Sequence, residues 1–320
     1  MNFLRFAVRR LLEMAVTLLG ASFVVFGAMY LAPGNPASFL LGGRSASPAA
    51  LEAIEKQYHL DDPFFAQYFR WLGNVLQGDF GRSLQYRTDV SELLASRLPT
   101  TMLLVGMALL IVVVLGLALG RFGAVRGGAA DTTVLVGTTF AIGTPSFVAA
   151  ILLQGLFAVQ LGWFPSSGSG SGEGFGSMVW HLTLPAVALA LYLVGLLARV
   201  TRSAMLEAME GEHVAVARSR GVPERHIIRR HVFRNALGPV LTTAGLIVST
   251  LLVCTVLVES AFSVGGIGQL LERAATTKDF PTVQAISLII IGIFMTVNFV
   301  VDLLLPLVDP RITLGARSKA

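Results

Sequence analysis

The side chains able to do chemistry are few, and their spacing decides what they could do. His213, His226 and His231 fall in one short stretch, at separations of thirteen and five residues. Those spacings do not bring all three to one helix face, so a tetrahedral zinc site is disfavoured. The one cysteine, Cys254, lies in an apolar run, which removes an intrachain disulfide and any cysteine-rich metal site. Gly265, Gly266 and Gly268 are spaced as in a phosphate loop, but no strand precedes them and no lysine follows at the required place. They read as a tight turn. The serines of SSGSGSGEGFGS, Ser166 to Ser177, never take the Gly-x-Ser-x-Gly spacing of a nucleophile elbow, and so read as a flexible loop. His-Glu-x-x-His, Cys-x-x-Cys and Gly-Lys-Ser/Thr are absent. Without the last motif the chain has no Walker A loop to cradle ATP, so any ATP used must be bound by another polypeptide.

Glu13, Glu259 and Asp302 are acidic residues in or at the ends of apolar runs, where an ionisable group is by default a functional candidate. For Glu13 and Asp302, near basic residues at run ends, snorkelling or pairing with an arginine is a sufficient account. The strongest feature is Ala217 to Pro239, ARSRGVPERHIIRRHVFRNALGP, carrying Arg218, Arg220, Arg225, Arg229, Arg230 and Arg234. Basic charge alone would serve topology. The punctuation Gly221-Val222-Pro223 adds a stop and a restart: glycine suits the left-handed position closing one helix, and proline the first turn of the next. The stretch predicts a rigid helix-turn-helix elbow suited to a partner's groove.

The elements that would position these residues are set by hydropathy. Of 320 residues 54% are hydrophobic and only 13% charged, with a mean hydropathy of +0.72. Soluble domains carry about 25% charged residues, so the composition is that of an integral membrane protein. The net charge of +5 falls between apolar runs, where the positive-inside rule explains it better than nucleic-acid binding does.

Six spans are predicted: Leu11 to Leu31, Met102 to Gly120, Thr132 to Leu161 with a kink at Pro145, Leu182 to Ala198, Pro239 to Phe262 and Val283 to Val308. The first is too long for the apolar region of a cleaved signal peptide, which is about 7–15 residues. With this threading, 16 of the 24 basic residues fall on the side that holds both termini, which makes that side cytoplasmic. The expected division is a first span within 1–32, an outer helical excursion over 33–99, a five-helix core over 100–308 with a coupling loop at 206–238, and a tail at 309–320. In the excursion, Ser47-Pro48 and Asp62-Pro63 each place a capping residue before a proline at the first helical position. Phe64, Phe65, Tyr68, Phe69, Trp71, Leu72, Val75 and Leu76 then follow at helical spacing. That aromatic face reads equally as an interfacial belt on lipid or as a docking surface for a partner.

Ala217 to Gly221, then His231, Arg234-Asn235-Ala236 and Pro239, resemble the EAA loop of ABC-importer permeases, and more narrowly that of the dipeptide/oligopeptide/nickel branch. Ala215 stands where many importers carry glutamate, a departure common in that branch. HLDDPFFAQYFRWLGNVLQGDFGRS, His59 to Ser83, resembles the segment after the first span in its first permease type. ESAFSVGGIGQLL from Glu259, continuing to Asp279-Phe280-Pro281, resembles the outer end of the fifth span and the loop after it.

The resemblance implies an all-α integral membrane subunit with six transmembrane helices and the type I ABC importer permease fold. It implies ATPase-coupling roles for His213, Ala217, Arg218, Gly221, Pro223 and Arg225. Tyr68, Trp71, Glu259, Phe262 and Asp279 would stand at an outer gate or binding-protein contact. The implied partners are a second homologous permease, two ABC ATPase subunits that bind ATP and Mg, an extracytoplasmic substrate-binding protein and membrane lipid, with no nucleic acid. The chain itself would hold no cofactor and would not be an enzyme. Its place would be a bacterial cell membrane, with multiple passes and both termini cytoplasmic. The substrate would be a di- or oligopeptide, with nickel, glutathione or another small solute left open. Of the rivals, an ion-gradient transporter predicts paired acidic residues and broken helices in matching halves, and a membrane enzyme needs a nucleophile or metal constellation; the sequence shows neither clearly.

Overall fold

The computed structural model describes residues 3–31 and 62–308, all helices, turns and loops apart from one isolated antiparallel bridge between Arg82 and Asp89. Ser47-Pro48, His59 and the tail lie outside the described residues. The helices are α1 (Phe3–Leu31), α2 (Phe64–Leu76), α3 (Val90–Arg126), α4 (Gly128–Gly143), α5 (Ser146–Gln160), α6 (Phe175–Glu210), α7 (Glu212–Ser219), α8 (Glu224–Phe262), α9 (Ile267–Thr277) and α10 (Phe280–Val308). Two carry π turns, at Gln154–Gln160 in α5 and Ile227–Val232 in α8.

Among the described residues α1, α3, α6, α8 and α10 are each long and apolar enough to cross a membrane, and α4 with α5 makes a sixth, broken span. The break is sharper than the kink expected at Pro145: the two helices meet at 98°. Thr144 precedes a proline and is driven out of the α region, to φ −100 and ψ 109, and Pro145 itself is extended at ψ 144. Two successive extended residues turn the chain where one missing hydrogen bond would only bend it. The prolines at two other helix starts also sit one residue further out than the first turn. Pro63 and Pro223 are the caps of α2 and α8, with ψ of 141 and 136.

Helix α6 is the centre of the bundle. Two thirds of its apolar window (67%) is buried, against 11% for α1 and 6% for α10, which pack on the periphery and leave most of their apolar windows uncovered. The α3–α6 crossing is close because α3 presents glycines. A Cβ at Gly116 would stand 2.8 Å from the Leu197 Cβ, and one at Gly120 would stand 2.5 Å from the Ala198 carbonyl oxygen and 2.6 Å from the Thr201 Cβ. Small residues at such spacing let backbones approach in a medium where apolar burial supplies little driving force between helices. Beside this crossing the Asp131 carboxylate of α4 accepts from both Nε and Nη2 of Arg202 on α6.

Helix α1 lies on the periphery against α10. Arg10 reaches both Glu13, at 3.1 Å, and Asp302, at 3.3 Å. Both acids are therefore paired with an arginine, the second of the two accounts expected for them.

Candidate functional site

The elbow forms at the start of α8. Helix α7 closes on Gly221, whose φ is +73. The Gly221 amide donates to the Arg218 carbonyl at 3.0 Å and the Val222 amide to the Ala217 carbonyl at 3.2 Å. These two bonds make a Schellman closure, and its usual apolar contact is present because Ala217 and Val222 share one cluster. No atom lies within 4 Å of a Cβ built at Gly221, so glycine is needed there for its conformation and not for space.

One face of the elbow is anchored. Val214, Ala217, Ile227 and Val232 are buried with Met205 of α6 and Ala124 of α3. The other face is open: His213, Val216, Arg218, Gly221, Pro223, Arg225, Arg229 and Arg230 are exposed. Of the residues expected to couple, five stand on this open face, while Ala217 points inward at 7% exposure. Arg218 bridges the turn to Glu224, Nε to Oε2 at 3.1 Å and Nη2 to Oε1 at 2.6 Å. That hydrogen-bonded carboxylate holds the Arg218 pKa above the ordinary guanidinium value. His213 Nε2 meets Asn235 Nδ2 at 2.9 Å and so ties α7 to α8. A Cβ at Gly211 would stand 2.5 Å from the His213 ring, so Gly211 is what lets the ring take that position. Among the described residues no three or more His, Cys, Asp or Glu side chains gather as a metal site.

At the far end of α8 two buried carboxylates organise a cap. Glu259 is 0% exposed: Oε1 accepts from the Thr101 hydroxyl at 2.6 Å and Oε2 from the Gln269 amide at 3.0 Å. The Ile267 amide in turn donates to Thr101 Oγ1 at 2.9 Å. Gly265, Gly266 and Gly268 form the turn that makes this possible. Gly265 has φ +79, and a Cβ at Gly266 would fall on both Glu259 oxygens and on Thr101 Oγ1. Phe262 is buried, and its carbonyl accepts the Gly168 amide at 2.9 Å. The serine-rich loop is therefore tied down at that point.

Asp279, also 0% exposed, accepts from the Ser83 hydroxyl, from the Leu84 amide at 3.1 Å and from the Thr282 hydroxyl at 2.8 Å. It stitches the loop before α3 to the start of α10. Around it Val90, Leu94, Ile267, Leu270, Ala285 and Ile286 form one apolar cluster. Glu259, Phe262 and Asp279 thus belong to one connected cap. Tyr68 and Trp71 stand apart from it. The Tyr68 hydroxyl lies 2.8 Å from Ser22 Oγ, and its ring packs edge-on to Phe23 and Phe26 of α1. Trp71 lies 5.2 Å from the Phe26 ring. The inner half of the aromatic face is therefore spent on α1, and Phe65, Phe69 and Leu76 are the exposed remainder.

Residues 112–314 match the family described as Binding-protein-dependent transport system inner membrane component, and residues 3–105 match the N-terminal component of such systems. The chain belongs to this family of binding-protein-dependent transport permeases. A Brucella abortus protein named as a peptide transport system permease is 39% identical over 95% of this chain and 97% of its own length. The oligopeptide transport system permease of Bacillus subtilis is 34% identical over 96% and 98%, and the glutathione transport system permease of Salmonella paratyphi A is 34% identical over 97% and 99%. In fold the chain is similar to the MetNI methionine ABC transporter in an inward-facing conformation. The TM-score is 0.55 at 19% identity, covering 68% of this chain and 96% of that one. This is the type I ABC importer permease fold, and in this chain the elbow stands at one end of α8 and the buried carboxylate cap at the other.

Sequence reasoning missed Thr101, Ser83, Gln269, Gly211 and the Asp131–Arg202 pair. Only the Gly116-x-x-x-Gly120 spacing carried a signal that could have located the α3–α6 crossing.

Proposed function

We propose that this chain is one permease subunit of an ATP-driven, binding-protein-dependent importer for di- or oligopeptides. It supplies half of the translocation pathway beside a homologous companion and engages an ATPase subunit through the elbow. The observation that carries this reading is the elbow's construction. A left-handed glycine and four buried anchors fix its shape, and an arginine-rich face is turned outward where a groove on another protein could receive it. ATP and Mg²⁺ belong to the ATPase partners. Closure of the ATPase pair around ATP draws the elbows together and tilts the spans that follow them, so the pathway opens outward to a loaded binding protein and closes again after hydrolysis. Both termini and the elbow lie on the cytoplasmic side of a bacterial cell membrane.

The test is co-expression with the companion permease, the ATPases and the binding protein, followed by purification and reconstitution in liposomes. ATPase subunits should co-purify with this chain, and a labelled tripeptide should accumulate only with ATP and binding protein. Failure of the ATPases to co-purify would overturn the reading. The glutathione permease among the relatives, as similar as the oligopeptide one, favours glutathione as the second substrate reading. Accumulation of glutathione in place of tripeptide would decide for it.

A further inference from the structure

We propose that Glu259 is a positioning residue that makes the outer helix α9 move with α8, so that one element carries the elbow's motion to the mouth of the pathway. This rests on the importer reading above. Helix α8 stays helical from Glu224, beside the elbow turn, through the π turn at Ile227–Val232 and past Pro239 to Phe262, and Glu259 lies in its last turn. A tilt imposed at the first end therefore appears at the second.

The hydrogen bonds at the second end all run one way. The Ile267 amide donates to the Thr101 hydroxyl, that hydroxyl donates to Glu259 Oε1, and the Gln269 amide donates to Oε2. Thr101 Oγ1 is both acceptor and donor: it joins α9 to α3 by accepting from the Ile267 amide, and its own buried proton needs an acceptor on the far side. The Glu259 carboxylate is that acceptor, and it binds α9 directly at the same time. The start of α9 is buried, where amides left without acceptors are costly, so the carboxylate takes the part that solvent takes at an exposed helix start. Gly268 completes the fit, since a Cβ there would stand 2.9 Å from Val256 Cα on α8. The apolar anchors of α9, Ile267 and Leu270, face α3 and α10. The buried polar link to α8 runs through Glu259, and an exposed one joins Ser260 Oγ to Glu272 Oε2 at 3.5 Å. On its other face α9 exposes Glu272, Arg273, Thr276 and Thr277.

A glutamine at 259 keeps the reach but replaces one acceptor by a donor, leaving the Thr101 proton or the Gln269 amide unpaired. Valine at 101 keeps the shape and removes the relay, whereas serine keeps the relay. The experiment uses the full complex with Cys254→Ser as background and nitroxide labels at Arg273 and Ser96, both exposed. Label mobility and separation, basal ATP turnover and turnover stimulated by loaded binding protein are measured for Glu259→Gln, Thr101→Val and Thr101→Ser.

Glu259→Gln and Thr101→Val should keep basal turnover, lose stimulation at least tenfold and broaden the Arg273–Ser96 distance distribution. Their double variant should lose no more than either alone, because both break one relay. Thr101→Ser should match the parent. Full stimulation with an unbroadened distribution in Glu259→Gln would overturn the proposal. If that variant fails to assemble, Thr101→Val decides the matter on the same readouts. If the parent complex shows no stimulation at all, the importer reading fails, while the distance distribution still tests the latch.

Discussion

Arg218 and Glu224 clasp each other across the Gly221 turn, with the guanidinium fork set on both carboxylate oxygens at 2.6 and 3.1 Å. The pair spans the elbow's only left-handed residue, so it braces the angle between α7 and α8 from outside while Ala217 and Ile227 hold it from within. Both side chains are about half exposed, at 48% and 53%, and exposed pairs are weak and screened by salt. Arg218→Ala should therefore reduce binding-protein-stimulated ATP turnover only mildly, with the difference from the parent shrinking as salt is raised from about 50 to about 500 mM. A large, salt-independent loss would mean instead that Arg218 contacts the ATPase directly.

Gly221→Val should be more damaging than loss of that pair. A β-branched residue at φ +73 is strained by roughly 1–3 kcal/mol, and the empty space around the position offers no steric alternative to that explanation. Membrane insertion and yield should survive, because no span is touched, while uptake and ATPase stimulation fall together. Gly221→Asn, which tolerates the left-handed region, should retain most of both. Equal loss in the two variants would show that the elbow depends on the absence of a side chain and not on the backbone conformation.

The α3–α6 crossing predicts a different kind of loss. Gly120→Ala places a methyl group 2.5 Å from the Ala198 carbonyl oxygen, and overpacking of this kind costs typically about 1–3 kcal/mol. The purified subunit complex should melt several degrees lower and recover poorly from detergent. Gly137→Ala on α4 is the control, since nothing lies within 4 Å of its Cβ and it should melt with the parent.

Gly221 and the buried cap mark what the sequence made legible and what it did not. The left-handed turn at Gly221 is local, written in Gly-Val-Pro, and the Schellman bonds fall where that punctuation predicts. Six apolar runs likewise return as five spanning helices and a broken pair, because hydropathy over a bilayer's width is also a local signal. The size of the break at Pro145 was not legible, since a proline in an apolar run signals a kink whether or not it goes extended together with Thr144. The cap was less legible still. Thr101 and Glu259 are 158 residues apart, and Ser83 and Asp279 are 196 apart. Threonine and serine carry no periodic signature, so nothing in the chain announces which acid each will meet. Tyr68 shows the same limit. Its helical spacing was readable, but that its hydroxyl would reach Ser22 was not.

Asp279 offers a test of the cap that is independent of the elbow. Its two oxygens receive three donors, from Ser83, Leu84 and Thr282, and its own carbonyl accepts the Val283 amide in the first turn of α10. Asparagine is nearly isosteric but presents an NH₂ group on one side, which must face either the Leu84 amide or the two hydroxyls. One clash of donors is removable, because a hydroxyl can rotate to accept; the Leu84 amide cannot. The favoured arrangement of Asp279→Asn therefore keeps the carbonyl oxygen on Leu84 and turns the NH₂ toward Ser83 and Thr282, whose protons then lose their acceptor. A buried donor left unpaired costs about 1–3 kcal/mol. Ser83→Ala and Thr282→Val each remove one of those stranded protons, so either should partly rescue Asp279→Asn while lowering the melting temperature on its own. Melting temperatures of the purified complex across this set, measured in one detergent, check the argument. Additive losses with no rescue would show that Asp279 stabilises the cap by charge alone, and that the polarity of its hydrogen bonds is incidental.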